Sequence, residues 1–152
     1  MAQLAKIEAK ADIKCPPAKV YDFFKYDMNK FIDMFPQIFK SAQLLEGEEG
    51  QAGNVKLFEY VLGCIDGVGK RMSVKVKSEA INDGERSITF RVIEGDVLEL
   101  YTSFAAKVTV TGGSVSWHIE FEKANDSAPN PDNYAALAVE ITKGLDLYLL
   151  AH

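Results

Sequence analysis

The sequence predicts an α+β fold in which a curved antiparallel sheet wraps around a long C-terminal helix. Three observations support this prediction: an alternating strand near the start, closely spaced strand patterns over 41–123, and a helical stripe that begins near residue 130. The gaps between the strand patterns are too short for crossover connections, so neighbouring strands are expected to pair antiparallel. The length of 152 residues, without a linker-like segment, predicts a single domain over 1–152.

The first strand and two short helices open the chain. Apolar and charged residues alternate over 5–13, which is the period of a half-buried strand. Pro16 and Pro17 end this strand and open a helix, because proline is tolerated in a first helical turn. A second short helix is predicted after Asp27 as its N-cap, ending at Pro36. The apolar sides of the two helices hold phenylalanines: Phe23, Phe24, Phe31 and Phe35.

The middle of the chain is predicted to form six strands separated by turn residues. These strands cover 41–46, 54–62, 70–80, 86–94, 98–110 and 114–123. Alternation gives the strands a charged face and an apolar face, which is typical of a sheet with one solvated side. His118 belongs to the charged face and is predicted to lie at the surface. The apolar face is rich in aromatic residues: Phe58, Tyr60, Phe90, Phe104, Trp117 and Phe121.

The last element is a long amphipathic helix. Asn130 suits the N-cap, Pro131 the first helical position, and Asp132 the positive end of the helix dipole. Gly144 interrupts the helix, which indicates either a close approach of another element or a bend. An apolar stripe follows at helical spacing: Tyr134, Leu137, Ala138, Ile141, Leu145, Tyr148 and Leu149.

Composition and charge exclude several functional classes. The net charge is −5 and no cluster of Lys and Arg is present, so we expect no nucleic-acid partner. No apolar run approaches the roughly 20 residues that span a bilayer, so we expect no membrane insertion. Cys15 and Cys64 are predicted to be reduced thiols, and the start of the chain lacks a signal-peptide pattern. We therefore expect a cytoplasmic protein that is a monomer or a weak dimer.

Motifs of metal, phosphate and hydrolase chemistry are missing from the sequence. His118 and His152 lie in no cluster with metal-ligand spacing, and no nucleophile elbow is present. The glycine loops at 46–53 and 63–71 depart from phosphate-binding patterns and are better interpreted as hairpin turns. We expect neither a bound metal nor a cofactor.

The inward-facing aromatic residues are consistent with a solid core or with a lined cavity. Composition alone favours a solid core. A sheet that curls around one helix tends to enclose space, and Lys56, Tyr60 and Tyr134 would place polar atoms on the same inner face. These residues alone leave the two interpretations open.

The whole chain resembles the plant major latex proteins. The resemblance rests on ordered motifs: LEG at 45–47 with GNVKLFEYV at 53–61, VIEGDVL at 92–98, FEKAN at 121–125 with Pro129 and Pro131, TK at 142–143 and YLL at 148–150. That family belongs to the superfamily of the birch pollen allergen and the pathogenesis-related class 10 proteins. The resemblance implies the helix-grip (START-like) fold, with a seven-stranded antiparallel sheet, a long C-terminal helix and a large hydrophobic cavity.

The resemblance also implies a function in plant defence or specialised metabolism. Binding of a hydrophobic or amphipathic small molecule is the first expectation, and a cofactor-independent cyclase or isomerase is the alternative. The chain has Ile88 and Thr89 near the place where norcoclaurine synthase, a relative, carries a catalytic lysine. Glu48, Glu49 and Ala52 replace small residues of the superfamily glycine loop.

These arguments define the expected site. Its ligand-binding residues are Phe23, Phe31, Phe35, Lys56, Phe58, Tyr60, Met72, Phe90, Phe104, Trp117, Ile119, Phe121, Tyr134, Leu137, Ala138 and Ile141. If the protein is an enzyme, the candidates for acid–base catalysis are Tyr60, Lys56, Glu59 and Tyr134.

Overall fold

Seven antiparallel strands form one sheet in the order β1-β7-β6-β5-β4-β3-β2. The computed structural model describes residues 4–65 and 68–151. The strands are β1 Leu4–Asp12, β2 Phe39–Glu46, β3 Val55–Ile65, β4 Val68–Asn82, β5 Ser87–Gly95, β6 Tyr101–Thr111 and β7 Ser114–Lys123. The helices are α1 Pro17–Tyr26, α2 Phe31–Met34 and α3 Asp132–Ala151, with 3-10 turns at Met28–Lys30 and Asp96–Glu99. The predicted fold class is confirmed.

Strand β1 forms one edge of the sheet and pairs with β7. Two of its inward residues are alanines that face large aromatic residues: Ala9 pairs with Trp117, and Ala5 pairs with Phe121. An alanine opposite an aromatic ring leaves room for that ring on the shared face. Cross-strand ion pairs occupy the outer face of the sheet: Lys6–Glu120, Arg71–Glu59, Lys75–Glu94 and Arg91–Glu79. Lys107 on β6 pairs with Glu85 of the β4–β5 turn. His118 also lies on this face, as predicted, with Nε2 3.6 Å from the Glu8 carboxylate.

The strand predicted over 98–110 begins later, at Tyr101. A 3-10 turn precedes it because Gly95 holds φ at 128° and allows the chain to leave β5 abruptly. A Cβ at Gly95 would lie 2.3 Å from the Ser73 carbonyl oxygen, so only glycine fits this approach. The Asp96 carboxylate then accepts the Ser73 amide at 2.8 Å. The glycine and aspartate of the VIEGDVL motif therefore fix how β5 turns into β6.

The second predicted helix is divided, and Asp27 occupies the predicted N-cap position without a capping side chain. A 3-10 turn precedes α2, which has only four residues. The side chain of Asp27 makes no capping hydrogen bond, and its backbone carbonyl accepts the Lys30 amide at 2.9 Å. The tighter turn places Phe31, which is 1% exposed, in the core. Helix α3 begins at Asp132, one residue after the predicted Pro131.

Gly144 marks a close approach between Phe35, the residue that follows α2, and the backbone of α3. A Cβ at this position would lie 2.5 Å from Cζ of Phe35, well inside van der Waals contact. The glycine therefore allows the Phe35 ring to rest directly on the backbone of α3. Of the two explanations that the sequence left open for this residue, the close approach is present.

The C-terminal half of α3 is tied to the β1–α1 connection by the buried carboxylate of Asp146. Its oxygens accept the Lys14 amide at 3.0 Å and the Cys15 amide at 2.9 Å. Both amides lie just beyond the end of β1, so the carboxylate satisfies donors that the strand pairing leaves without an acceptor. Lys19 donates to the Leu149 carbonyl at 3.0 Å and places a cation at the negative end of the helix dipole.

Cys15 is a buried free thiol in this connection. Burial raises the pKa of the thiol, and the adjacent Asp146 raises it further, so the thiolate form is disfavoured. This environment agrees with a reduced, unreactive cysteine. The side chain of Cys64 and all of His152 lie outside the described residues.

Replacing Asp146 should lower stability more than its small size suggests. Asp146→Ala removes the acceptor of the buried Cys15 amide and of the part-buried Lys14 amide, so we expect a loss of about 2–4 kcal/mol in the free energy of unfolding. Urea denaturation should show a lower midpoint with an unchanged slope. Glu140→Ala removes an exposed carboxylate from the same helix and is the control. Equal effects of the two substitutions would contradict the structural role of Asp146.

Candidate ligand-binding cavity

A cavity of about 160 Å³ lies between the concave face of the sheet and α3. Its wall is almost entirely apolar. The sheet contributes Phe39, Phe58, Tyr60, Val74, Val76, Phe90, Val92, Phe104, Ala106, Trp117 and Ile119. Helix α3 contributes Tyr134, Leu137, Ala138 and Ile141, and the two 3-10 turns contribute Met28 and Val97. Open space therefore remains between the inner face of the sheet and the apolar stripe of α3, so the interior is not entirely a solid core.

Six of the sequence-predicted ligand residues do not line this cavity: Phe23, Phe31, Phe35, Lys56, Met72 and Phe121. The three helix residues pack with each other instead, with the Phe31 ring centroid 5.2 Å from that of Phe23 and 5.8 Å from that of Phe35. Phe121 points inward but lies against Tyr101, with ring centroids 5.7 Å apart. These aromatic residues pack against one another in the core and do not line the cavity.

Two of the four acid–base candidates also lie elsewhere. Lys56 is 6% exposed, and its Nζ forms an ion pair with Glu49 at 2.7 Å. Glu49 belongs to the loop between β2 and β3, and the ion pair brings this loop to the inner face of the sheet at Lys56. Glu59 lies on the outer face of the sheet, where it pairs with Arg71. Neither Lys56 nor Glu59 is part of the cavity wall.

Several wall residues were not among the predicted site residues: Met28, Phe39, Val74, Val76, Val92, Val97 and Ala106. The β-strand valines and Ala106 share the parity of the predicted aromatic residues, so alternation could have identified them. Val97 belongs to the VIEGDVL motif and is 1% exposed, since the 3-10 turn directs it inward. Phe39 lies before the strand start that the sequence predicts, and Met28 lies in the unexpected 3-10 turn.

The polar atoms of the wall come from a pair of tyrosines. The hydroxyl oxygens of Tyr60 on β3 and Tyr134 on α3 are 2.6 Å apart. The Tyr134 hydroxyl also donates to Sδ of Met72 at 3.8 Å, a weak hydrogen bond. Burial raises the pKa of Tyr60 to about 12. Burial likewise raises the pKa of Tyr134, and the neighbouring Tyr60 raises it further, so both phenols stay neutral at physiological pH.

Trp117 is held in place by a threonine of α3. Its indole Nε1 donates to Oγ1 of Thr142 at 2.9 Å, and that hydroxyl donates to the Ala138 carbonyl at 2.7 Å. Thr142 is fully buried, so it belongs to the core despite its polarity. Thr142 belongs to the TK motif at 142–143, but nothing in this pattern indicates that its hydroxyl contacts the single tryptophan of the sequence.

The described residues offer no other obvious reactive centre. Within 4–65 and 68–151, no group of His, Cys, Asp and Glu side chains is arranged to hold a metal ion. Among the same residues, no helix is both long and apolar enough to cross a bilayer. The wall of the cavity contains no charged side chain from this part of the chain.

Comparison with known protein families agrees with the fold and the cavity. A sequence profile described as the pathogenesis-related protein Bet v 1 family matches residues 2–152. The chain belongs to the Bet v 1 family. Within it, this Bet v 1 protein resembles the major latex proteins, so the resemblance seen in the sequence motifs is confirmed.

Relatives of this Bet v 1 protein extend over nearly all of its length. It is 33% identical to MLP-like protein 31 of Arabidopsis thaliana, a match that covers 95% of this chain and 85% of the relative. It is 30% identical to major latex protein 146 of Papaver somniferum, over 97% of this chain and 92% of the relative. It is 35% identical to MLP-like protein 34 of Arabidopsis thaliana over 95% of this chain, but spans only 46% of that relative.

Solved structures show the same architecture. Major latex-like protein 151 of Panax ginseng matches this Bet v 1 protein with a TM-score of 0.88 at 27% identity, over 95% of this chain and 97% of the other. Norcoclaurine synthase of Thalictrum flavum matches with a TM-score of 0.77 at 15% identity, over 99% of this chain and 89% of the other. The second likeness concerns the fold alone.

Thr142 provides a direct test of the Trp117 contact. Thr142→Val keeps the shape but leaves the indole N–H buried without an acceptor, so we expect a loss of about 1–3 kcal/mol in unfolding free energy. The indole N–H signal, single because the chain has one tryptophan, should move in the ¹H–¹⁵N spectrum. Thr142→Ser keeps the hydroxyl and should leave that signal nearly in place. An unmoved signal in the valine variant would show that the bond is not made.

Proposed function

We propose that this protein binds and carries a hydrophobic or amphipathic plant small molecule in the cavity between the sheet and α3. Members of its family bind small hydrophobic ligands. The observation that carries the proposal is an inner cavity whose wall holds apolar side chains and two neutral hydroxyl groups. Transfer of apolar ligand surface from water to such a wall contributes about 25 cal/mol per Å², less the cost of ordering the ligand.

The chemistry of the wall supports a carrier more strongly than an acid–base enzyme. A catalytic acid or base works best when its pKa lies near the operating pH. The pKa of Tyr60, about 12, is far above neutrality, and that of Tyr134 is raised as well. Lys56 and Glu59, the remaining candidates, are engaged in ion pairs outside the cavity. Ile88, near the place of the norcoclaurine synthase lysine, is apolar and buried.

A cofactor-independent cyclase or isomerase is the second candidate function, and the hydroxyl pair in the cavity is the feature that favours it. The two functions differ in what Tyr60→Phe should change. In a carrier, the substitution changes ligand affinity by the worth of one hydrogen bond, about 0.5–1.5 kcal/mol. In an enzyme that uses this phenol as an acid, it lowers turnover on the order of a hundredfold with little change in binding.

The proposal includes a cellular setting. We take the carrier to be a cytoplasmic, single-domain protein that acts in plant defence or specialised metabolism as a monomer or a weak dimer. The buried, free thiol of Cys15 and the relatives from Arabidopsis thaliana and Papaver somniferum are consistent with this setting.

Filling the cavity should weaken ligand binding without unfolding the protein. Ala138 lines the cavity and Ala136, on the same helix, is exposed. Ala138→Leu extends three carbon atoms into the open space, so we expect toluene binding to weaken at least tenfold, whereas Ala136→Leu should bind like the original protein. The shift of the Trp117 indole N–H signal on addition of toluene measures binding. If both leucine variants bind toluene equally well, the ligand does not occupy this cavity.

A further inference from the structure

The size of the cavity restricts its ligand more narrowly than the proposed function does. Its volume is about 160 Å³. An engineered protein cavity of about 150 Å³ binds benzene, whereas pockets for drug-sized ligands measure roughly 300–1,000 Å³. One six-membered ring with a small substituent therefore fits the space between the sheet and α3. A steroid or a flavonoid is larger than this volume and would have to extend beyond it.

The tyrosine pair offers such a ligand one preformed polar contact. Either phenol can be the donor in the 2.6 Å bond between Tyr60 and Tyr134, and the Tyr134 hydroxyl also lies 3.8 Å from the sulfur of Met72. The Tyr60 oxygen therefore accepts at most one hydrogen bond from the described residues, and a hydroxyl oxygen has two acceptor positions. It is therefore an acceptor at the cavity wall that suits a ligand hydroxyl group.

The electrostatics of the wall exclude charged ligands. No Asp, Glu, Lys or Arg of the described residues lines the cavity, so an ion would lose its hydration without gaining a partner. The titratable neighbours of the pair are Tyr101 and the negative Asp96, which also opposes a ligand anion. The carboxylate of Asp96 is already hydrogen-bonded to the Ser73 amide. The ammonium of Lys56, which is not part of the wall, is paired with Glu49.

We propose that the cavity selects a neutral, single-ring alcohol or phenol whose hydroxyl donates to the Tyr60 oxygen, and that it rejects the ionised form of the same molecule. The inference rests on the proposed function, because it names the ligand class of the same cavity. The raised pKa of Tyr60 has the same cause, because the buried wall also disfavours the charged phenolate form of this tyrosine.

A phenol that ionises near neutral pH tests the exclusion of charge on the unmodified protein. With 4-nitrophenol as the probe, affinity should fall about tenfold for each pH unit above the pKa of the probe, since only the neutral form binds. The bound probe should keep the absorption spectrum of its neutral form. 4-Nitroanisole cannot ionise and should bind with the same affinity throughout this pH range. Binding of the 4-nitrophenolate anion as tightly as the neutral phenol would overturn the proposal.

A second comparison tests the hydroxyl contact. In the original protein, 4-methylphenol should bind about two- to tenfold more tightly than toluene, as one added hydrogen bond allows. Tyr60→Phe removes the acceptor, so the ratio of the two affinities should fall to about one. Tyr101→Phe is the matched control, because its buried hydroxyl donates to the Pro129 carbonyl at 2.7 Å away from the cavity wall. This control should keep the original ratio.

The outcomes separate this inference from the function on which it rests. An unchanged preference for 4-methylphenol in Tyr60→Phe overturns the hydroxyl contact, even though the protein still binds both probes. If neither toluene nor 4-methylphenol shifts the Trp117 indole N–H signal, the proposed function fails, and the ligand class fails with it. Should Tyr60→Phe not fold, two measurements on the original protein test the proposal: its preference for 4-methylphenol over toluene tests the hydroxyl contact, and the series with 4-nitrophenol tests the exclusion of charge.

Discussion

The position of α3 over the sheet is the constraint on which the rest of the structure depends. Three buried polar contacts fix it: Asp146 accepts amides from the β1–α1 connection, Thr142 accepts the Trp117 indole, and Tyr134 meets Tyr60 across the cavity. Hydrogen bonds are directional and costly to leave unmade, so they define the distance and the rotation of the helix. Apolar contact alone is non-directional and would not determine either. A cavity can persist between surfaces that are held in this way.

The inner face of the sheet is kept neutral by the loop between β2 and β3. Lys56 shares its parity with Phe58, so its ammonium is buried on the apolar side, where an unpaired charge is strongly unfavourable. Glu49 supplies the opposite charge from the loop. The loop approaches α1 closely at Gly50, where a Cβ would lie 2.1 Å from a ring carbon of Tyr26. A departure from the superfamily glycine pattern thus has a structural reason here: Glu49 neutralises a buried lysine.

These two arrangements give the cavity its chemical character. The charged candidates for catalysis are bound to partners elsewhere, and the phenols that remain in the wall hold their protons firmly because they are buried. A wall of this kind can orient a ligand through one hydrogen bond and bury its apolar surface. Among the described residues, the wall has no side chain with a pKa near neutral pH, which is what efficient acid–base catalysis requires.

The sequence by itself determined the order of the elements, the face on which each strand residue lies, and the family, because period-two alternation and ordered motifs are local properties of the chain. Only the tertiary structure decided which inward residues reach the cavity. Parity assigns Phe121 and Tyr60 to the same face, but their depth and neighbours depend on distant segments: Phe121 meets Tyr101, and Tyr60 meets α3. The partners of buried polar groups are likewise non-local, so no pattern near Lys56 or Thr142 reveals them.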